Sequence, residues 1–222
     1  VKHLWINHEQ NSELLLFFNG WGMDAKPFGH LSAAGLDVLM FYDYTRAVVD
    51  CDIAKVCSAY EHTYLVAWSL GVGVAAATCR NHGDFASAVA INGTLRPIDT
   101  DHGISPEVFQ GTIAGWSETG RQKFNRRMCG RGAGHFAANQ PERGIEEQKN
   151  ELIAIQHRMS DGLESTLFDT AIIGLRDRIF PAAAQENYWM TQQVKIVQKD
   201  LAHYLFDVMT TWREVTEIGQ DQ

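Results

Sequence analysis

The chain has 222 residues, 45% of them hydrophobic and 21% charged, with a formal net charge of −8 at neutral pH. That balance fits one globular domain, or one domain with an insertion, whose core is large enough to need no staples. It excludes a general nucleic-acid binder, which needs a basic surface, and no run of the sequence reaches the about 18 apolar residues that span a bilayer. The four cysteines, Cys51, Cys57, Cys79 and Cys129, show neither C-x-x-C pairing nor histidines at zinc spacing, and read as reduced thiols. The first eight residues, Val1-Lys2-His3-Leu4-Trp5-Ile6-Asn7-His8, lack the long apolar stretch of a signal peptide. The expectation is a soluble, cytoplasmic protein.

In chain order, residues 14–18 form an apolar run that predicts a buried strand, closed by Asn19-Gly20-Trp21-Gly22. Residues 38–41, 64–67 and 86–91 predict three more strands, the last closed by Asn92-Gly93. Helical stretches are expected near 25–33, 47–59 and 70–81. Continuous apolar runs separated by helix-length segments point to a parallel sheet covered on both faces. From about 105 to 163 only helical periodicity remains. Strand patterns resume at 168–173 and 194–197, followed by helices at 182–190 (between those two strands) and 204–217. The expected fold is α/β, a mostly parallel sheet with helices on both faces. Residues 1–96 and 164–222 form its core, and residues 97–163 form a helical cap inserted before the last strands.

Ala67-Trp68-Ser69-Leu70-Gly71 lies between an apolar strand and a small-residue helix. That is the setting of a nucleophile elbow, a sharp strand–turn–helix corner that exposes a serine hydroxyl at a helix N-terminus. The corner needs small residues two before and two after the serine. Gly71 meets this need, and Ala67 stands where glycine is usual. The competing reading is a serine that merely caps a helix.

A serine needs a base to take its proton. Of nine histidines, His203 follows the last strand pattern, which is where this fold presents its base. His62 and His82 flank the far ends of the nucleophile's strand and helix, and His102, His135 and His157 fall in or near the cap. The acid should follow the strand after the cap. Asp177, three residues past Gly174, is the choice, and Asp169, ahead of the apolar run, is the competitor. The acid orients the imidazole and stabilises its charged form. The oxyanion that forms needs two backbone N–H donors, assigned to Leu70 after the nucleophile and to Trp21 in the glycine-rich loop. A plain glycine turn with a packed tryptophan is the alternative there.

With these residues identified, the chain resembles the BioG-type pimeloyl-[acyl-carrier protein] methyl ester esterases of the α/β-hydrolase superfamily. The resemblance covers nearly the whole chain. Its elements include the Asn19-Gly20-Trp21-Gly22 loop, Phe41-Tyr42-Asp43-Tyr44, the Ser69 elbow, Asn92-Gly93-Thr94 and Val108-Phe109-Gln110-Gly111-Thr112. They continue with Phe124-Asn125-Arg126-Arg127-Met128-Cys129-Gly130, Arg176-Asp177-Arg178-Ile179-Phe180, Tyr188-Trp189 and His203-Tyr204-Leu205-Phe206. The resemblance implies a biotin-synthesis reaction that cleaves the methyl ester of a pimeloyl chain held on acyl-carrier protein, with no metal or organic cofactor. A less selective carboxylesterase or thioesterase is the alternative, and a non-catalytic binding protein of the same fold is a third. Arg121, Lys123, Arg126, Arg127 and Arg131, a basic cluster with no acidic residue among them, then gain a purpose, because acyl-carrier proteins are acidic. Trp116, Phe124 and Met128 fall at multiples of four, predicting one apolar stripe on a cap helix flanked by Lys123, Arg126 and Arg127. The expectation is that these three charges dock the carrier protein. A solvated basic face is the competing reading.

Overall fold

The computed structural model describes residues 1–79, 81–82, 84–159, 162 and 167–220. Seven strands build one sheet: β1 (Lys2–Asn7), β2 (Glu13–Phe18), β3 (Leu36–Tyr42), β4 (His62–Trp68), β5 (Ser87–Ile91), β6 (Thr170–Gly174) and β7 (Lys195–Lys199). Their order is β1-β3-β2-β4-β5-β6-β7, with β1 antiparallel to β3 and all other pairs parallel. The parallel strands carry the apolar runs read from the sequence, and β2, β3 and β4 are buried over most of their length. Burial on both faces demands such unbroken runs.

Strand β1 was not expected. Lys2, His3 and Asn7 interrupt its apolar residues and all six positions are half-buried or exposed, as suits an edge strand.

The helices are α1 (Ile53–Cys57), α2 (Gly71–Cys79), α3 (Pro106–Ala114), α4 (Glu118–Cys129), α5 (Ala133–Ala138), α6 (Ile145–Met159), α7 (Ala182–Trp189) and α8 (Trp212–Thr216). None is long and apolar enough to cross a membrane. Helices α3 to α6 all lie between β5 and β6, the interval expected to be helical. The expected boundary at 163–164 falls outside the described residues. Serines start two of these helices: Ser105 accepts from the Val108 N–H with Pro106 in the first turn, and Ser117 accepts from the Gly120 N–H.

Three expected helices are shorter or broken. Near 25–33 there is only a 3-10 turn, Lys26–Phe28, and over 47–59 only α1 forms, started by Asp52. The expected helix at 204–217 divides into a 3-10 turn, Phe206–Val208, and α8. Tertiary pairing explains the first and last of these. Ser32 N–H donates to Thr210 O at 2.9 Å and Trp212 N–H donates to Ser32 O at 2.9 Å, which holds both segments extended at that point. The break lets Phe206 and Trp212 both meet Phe28 and Phe17, at ring separations of 4.9 to 5.8 Å. Burying such rings contributes about 2–3 kcal/mol each, more than the propensity of one short helix.

All four cysteines are free. Burial pushes the Cys79 and Cys129 thiols up to about 12, so they stay protonated near neutral pH.

Candidate active site

Strand β4 ends at Trp68, α2 begins at Gly71, and the corner between them carries Ser69. Its φ is +59°, a left-handed backbone that a non-glycine residue adopts only when its surroundings enforce it. The Ser69 N–H donates to Ile91 O at 2.8 Å, and Ser69 O accepts from the Val72 N–H at 3.1 Å. A Cβ on Gly71 would stand 2.3 Å from Asn19 O, so no other residue fits there. Ala67, fully buried, pairs with Phe18 on one side and Ala90 on the other.

His203 sits in the loop after β7. Its Nε2 is 2.9 Å from Ser69 Oγ and its Nδ1 is 2.7 Å from Asp177 Oδ2. Asp177 follows β6 in a turn closed by its own N–H to Gly174 O. Its side chain is fully buried and its oxygens are fully used. Oδ1 accepts the Ile179 and Phe180 N–H groups, each at 2.8 Å, and Oδ2 accepts Gln185 Nε2 at 3.2 Å besides the imidazole. An acceptor-only carboxylate at Nδ1 fixes the tautomer in which Nε2 is free to accept the Ser69 proton. The structure thus brings together Ser69, Asp177 and His203. Asp169 stands at the start of β6, where its Oδ2 accepts the Ala88 N–H, away from this cluster.

Two residues that the sequence reading gave no role hold His203 in place. Trp68 Nε1 and Asn92 Nδ2 donate to His203 O at 2.9 and 3.0 Å. Asn92 Oδ1 accepts the Gly174 N–H at 2.7 Å, which ties the ends of β5 and β6 to the histidine loop. The signal for Asn92 was its place at the end of an apolar strand, where asparagine tolerates the left-handed φ of +50° found there.

The Leu70 and Trp21 N–H groups donate to no acceptor among the described residues. Both residues line one pocket with Ser69 and His203. Its walls are apolar, including Ile104, Phe109, Leu152 and Met128, with Arg127 and Arg178 also in the lining. The pocket borders an open groove between α3 and α4 that Lys123 and Arg127 line. Lys123, Arg126 and Arg127 are all exposed on α4, with Arg126 one turn on from Lys123 and also beside Ala133. The expected stripe differs. Trp116 precedes α4 rather than lying on it, and Trp116, Phe124 and Met128 are buried against the interior. Trp21, Trp116 and Phe124 pack ring on ring at 4.4 to 5.6 Å.

A hydroxyl, an imidazole and a carboxylate in this relay, beside two unpaired backbone donors, can carry out nucleophilic acyl transfer.

Solved structures similar along the whole length define the class. A lipase-esterase related protein from Clostridium acetobutylicum superposes with a TM-score of 0.66 at 14% identity, over 98% of this chain and 97% of that one. At that identity the likeness is one of fold, and the fold is that of the α/β-hydrolases. The family is narrower: a family model described as pimeloyl-ACP methyl esterase BioG matches residues 1–215, and the chain belongs to that family. The crystal structure of BioG from Haemophilus influenzae is 34% identical, with a TM-score of 0.86 over 97% of this chain and 100% of that one. A malonyl-[acyl-carrier protein] O-methyltransferase of Bacteroides fragilis (strain 638R) is 42% identical over 196 residues. The match covers 86% of this chain but only 39% of that relative's length. The chain is therefore an α/β-hydrolase of an esterase family.

Proposed function

We propose that the protein is a serine esterase that cleaves the methyl ester of a pimeloyl chain carried on acyl-carrier protein. The observation that carries the chemical part is the continuous contact from Asp177 through His203 to Ser69, at 2.7 and 2.9 Å, at the wall of an apolar pocket. Ser69 attacks the ester carbonyl while His203 Nε2 takes its proton. The Leu70 and Trp21 N–H groups receive the developing oxyanion, and the charged imidazole then gives its proton to departing methanol. Water, deprotonated by His203, releases the acid from Ser69. Asp177 keeps the imidazole oriented throughout.

Family membership supports the substrate. So does the pocket, whose apolar walls suit a hydrocarbon chain and whose basic border at Lys123 and Arg127 suits an acidic carrier. In this reading residues 97–163 form a lid, and Lys123, Arg126 and Arg127 meet the carrier. A less selective esterase is the second reading, since none of the catalytic geometry requires a carrier.

The two readings separate on kcat/KM for the carrier-linked methyl ester against free dimethyl pimelate. The proposal expects a preference of tenfold or more for the carrier-linked ester, about what one or two charged contacts supply. Equal values would favour the broader esterase.

A further inference from the structure

The loop Asn19-Gly20-Trp21-Gly22 is held partly by the sheet, through Phe41, and partly by groups that do not line the pocket. Its donors are almost all in use. Asn19 N–H donates to Phe41 O at 3.0 Å, Gly20 N–H to Asn19 Oδ1 at 2.8 Å, and Gly22 N–H to Glu151 Oε2 at 3.1 Å. Only the Trp21 N–H has no acceptor among the described residues. Two of the loop's carbonyls are taken by side chains: Tyr44 Oη donates to Asn19 O at 2.6 Å, and Gln148 Nε2 donates to Gly22 O at 2.8 Å. The Trp21 indole Nε1 donates to the Gln148 backbone carbonyl at 2.6 Å.

Two consecutive peptide planes on the far side of Trp21 are therefore clamped by α6. Gly22 adopts φ +75°, and a Cβ there would lie 3.3 Å from Gln148 Nε2, so loop and helix fit closely. The carboxylate of Glu151 is fully buried and is held from three sides. Arg143 donates to its Oε2 alongside Gly22, and the Tyr44 N–H donates to its Oε1 at 2.9 Å. Arg143 in turn lies 3.2 Å from Asp43. A buried charge paired on all sides is costly to disturb, and it fixes the geometry of whatever it holds.

We propose that Gln148 and Glu151 of α6, with Tyr44, are positioning residues that aim the Trp21 backbone N–H at the reacting carbonyl oxygen. The inserted helices then do more than cover the pocket, because one of them sets half of the oxyanion hole. This inference rests on the reading of Ser69 as nucleophile.

The test uses Gln148→Met and Tyr44→Phe, two buried and nearly isosteric changes that each remove one donor to the loop. Three quantities are measured on the full chain: kcat per active site titrated with a fluorophosphonate, KM, and Kd for an alkylboronic acid. The tetrahedral boronate on Ser69 places an oxygen in the hole, so its affinity reports hole geometry. The expected result is a fall in kcat of about tenfold and a matching rise in boronate Kd, with KM changed by no more than about twofold. A purely structural role would lower melting temperature and active fraction only. Unchanged kcat per titrated site and unchanged boronate Kd, in whichever variant folds, would overturn the proposal. Absence of fluorophosphonate labelling and boronate binding in the unmodified protein would instead overturn the serine-nucleophile reading itself.

Discussion

At the corner between β4 and α2 nearly every polar group has a protein partner, whereas Lys123 and Arg127, on α4 at the border of the same pocket, have none among the described residues. At the corner, Ser69 is held in a left-handed conformation and Gly71 admits no side chain, and across from it Asp177, after β6, accepts four hydrogen bonds. Bond-making needs atoms fixed to a fraction of an ångström, and only saturated contacts supply that. Recognition of a charged partner works through a field, and charges with no partner at home are the ones available to it. The contrast also shows within α4 itself, where Arg121 spends its guanidinium on Glu118 and on Arg143 O.

The largest effect should come from unsettling the Ser69–His203–Asp177 contact. Asp177→Asn presents an amide to an imidazole that needs an acceptor, and it also sets an NH2 among donors. A loss in kcat of about 10³–10⁴-fold is expected, with KM little changed, measured by ester hydrolysis under saturating substrate. Loss of less than about tenfold would mean that His203 is oriented by other groups, such as the Trp68 and Asn92 bonds to its carbonyl.

Asn92→Ala acts on the same cluster through the histidine loop. It removes two bonds to the histidine loop, orphans the Gly174 N–H, and places alanine at φ +50°. Denaturant unfolding should show a loss of about 2–3 kcal/mol. A value within about 0.5 kcal/mol of the unmodified protein would show that the loop is anchored elsewhere.

The sequence made these two regions unequally legible. The buried strands β2 to β6 announce themselves as apolar runs, and their C-terminal ends are where Ser69 and Asp177 had to be sought. His203 could be chosen among nine histidines because chain order and strand position sufficed. Asn92 and Gln185 escaped assignment because nothing local to them shows that their partners lie 82 or 8 residues away. The α4 face was misjudged for a related reason. Spacing by fours joined Trp116 to Phe124 and Met128, but Ser117 starts the helix after Trp116. Periodicity gives relative angles within a helix, and neither its first residue nor its direction in the molecule.

Reversing charge at the unpaired face sharpens the comparison. Lys123→Glu with Arg127→Glu should lower kcat/KM for the carrier-linked ester by about tenfold at low salt, with the difference shrinking as salt screens it. Hydrolysis of a free ester should fall by less, since only Arg127 of the two lines the pocket, and Arg126→Glu, outside the groove lining, should do less than the pair. Equal losses on free and carrier-linked esters would place these side chains in the pocket's chemistry instead.

A smaller effect belongs to Asp43, beside the clamp on the Asn19-Gly20-Trp21-Gly22 loop. Burial would raise its carboxyl, but Lys2, Thr45 and Arg143 outweigh burial and bring it down to about 2 from the ordinary 3.8. A carboxyl depressed in the folded state stabilises the protein above the unfolded value. That contribution, about 1–2 kcal/mol, is lost as pH falls from near 4 toward 2. Unfolding free energies measured across that window should slope down in the unmodified protein and less steeply in Asp43→Asn. Parallel slopes would remove Asp43 from the account.

The most direct test of the central claim is methanol release from pimeloyl-[acyl-carrier protein] methyl ester by the unmodified protein and by Ser69→Ala. The account predicts turnover by the first and a loss of at least about 10⁴-fold in the second. Turnover that survives Ser69→Ala would contradict the nucleophile, and no turnover by an unmodified protein whose Ser69 still reacts with a fluorophosphonate would contradict the substrate.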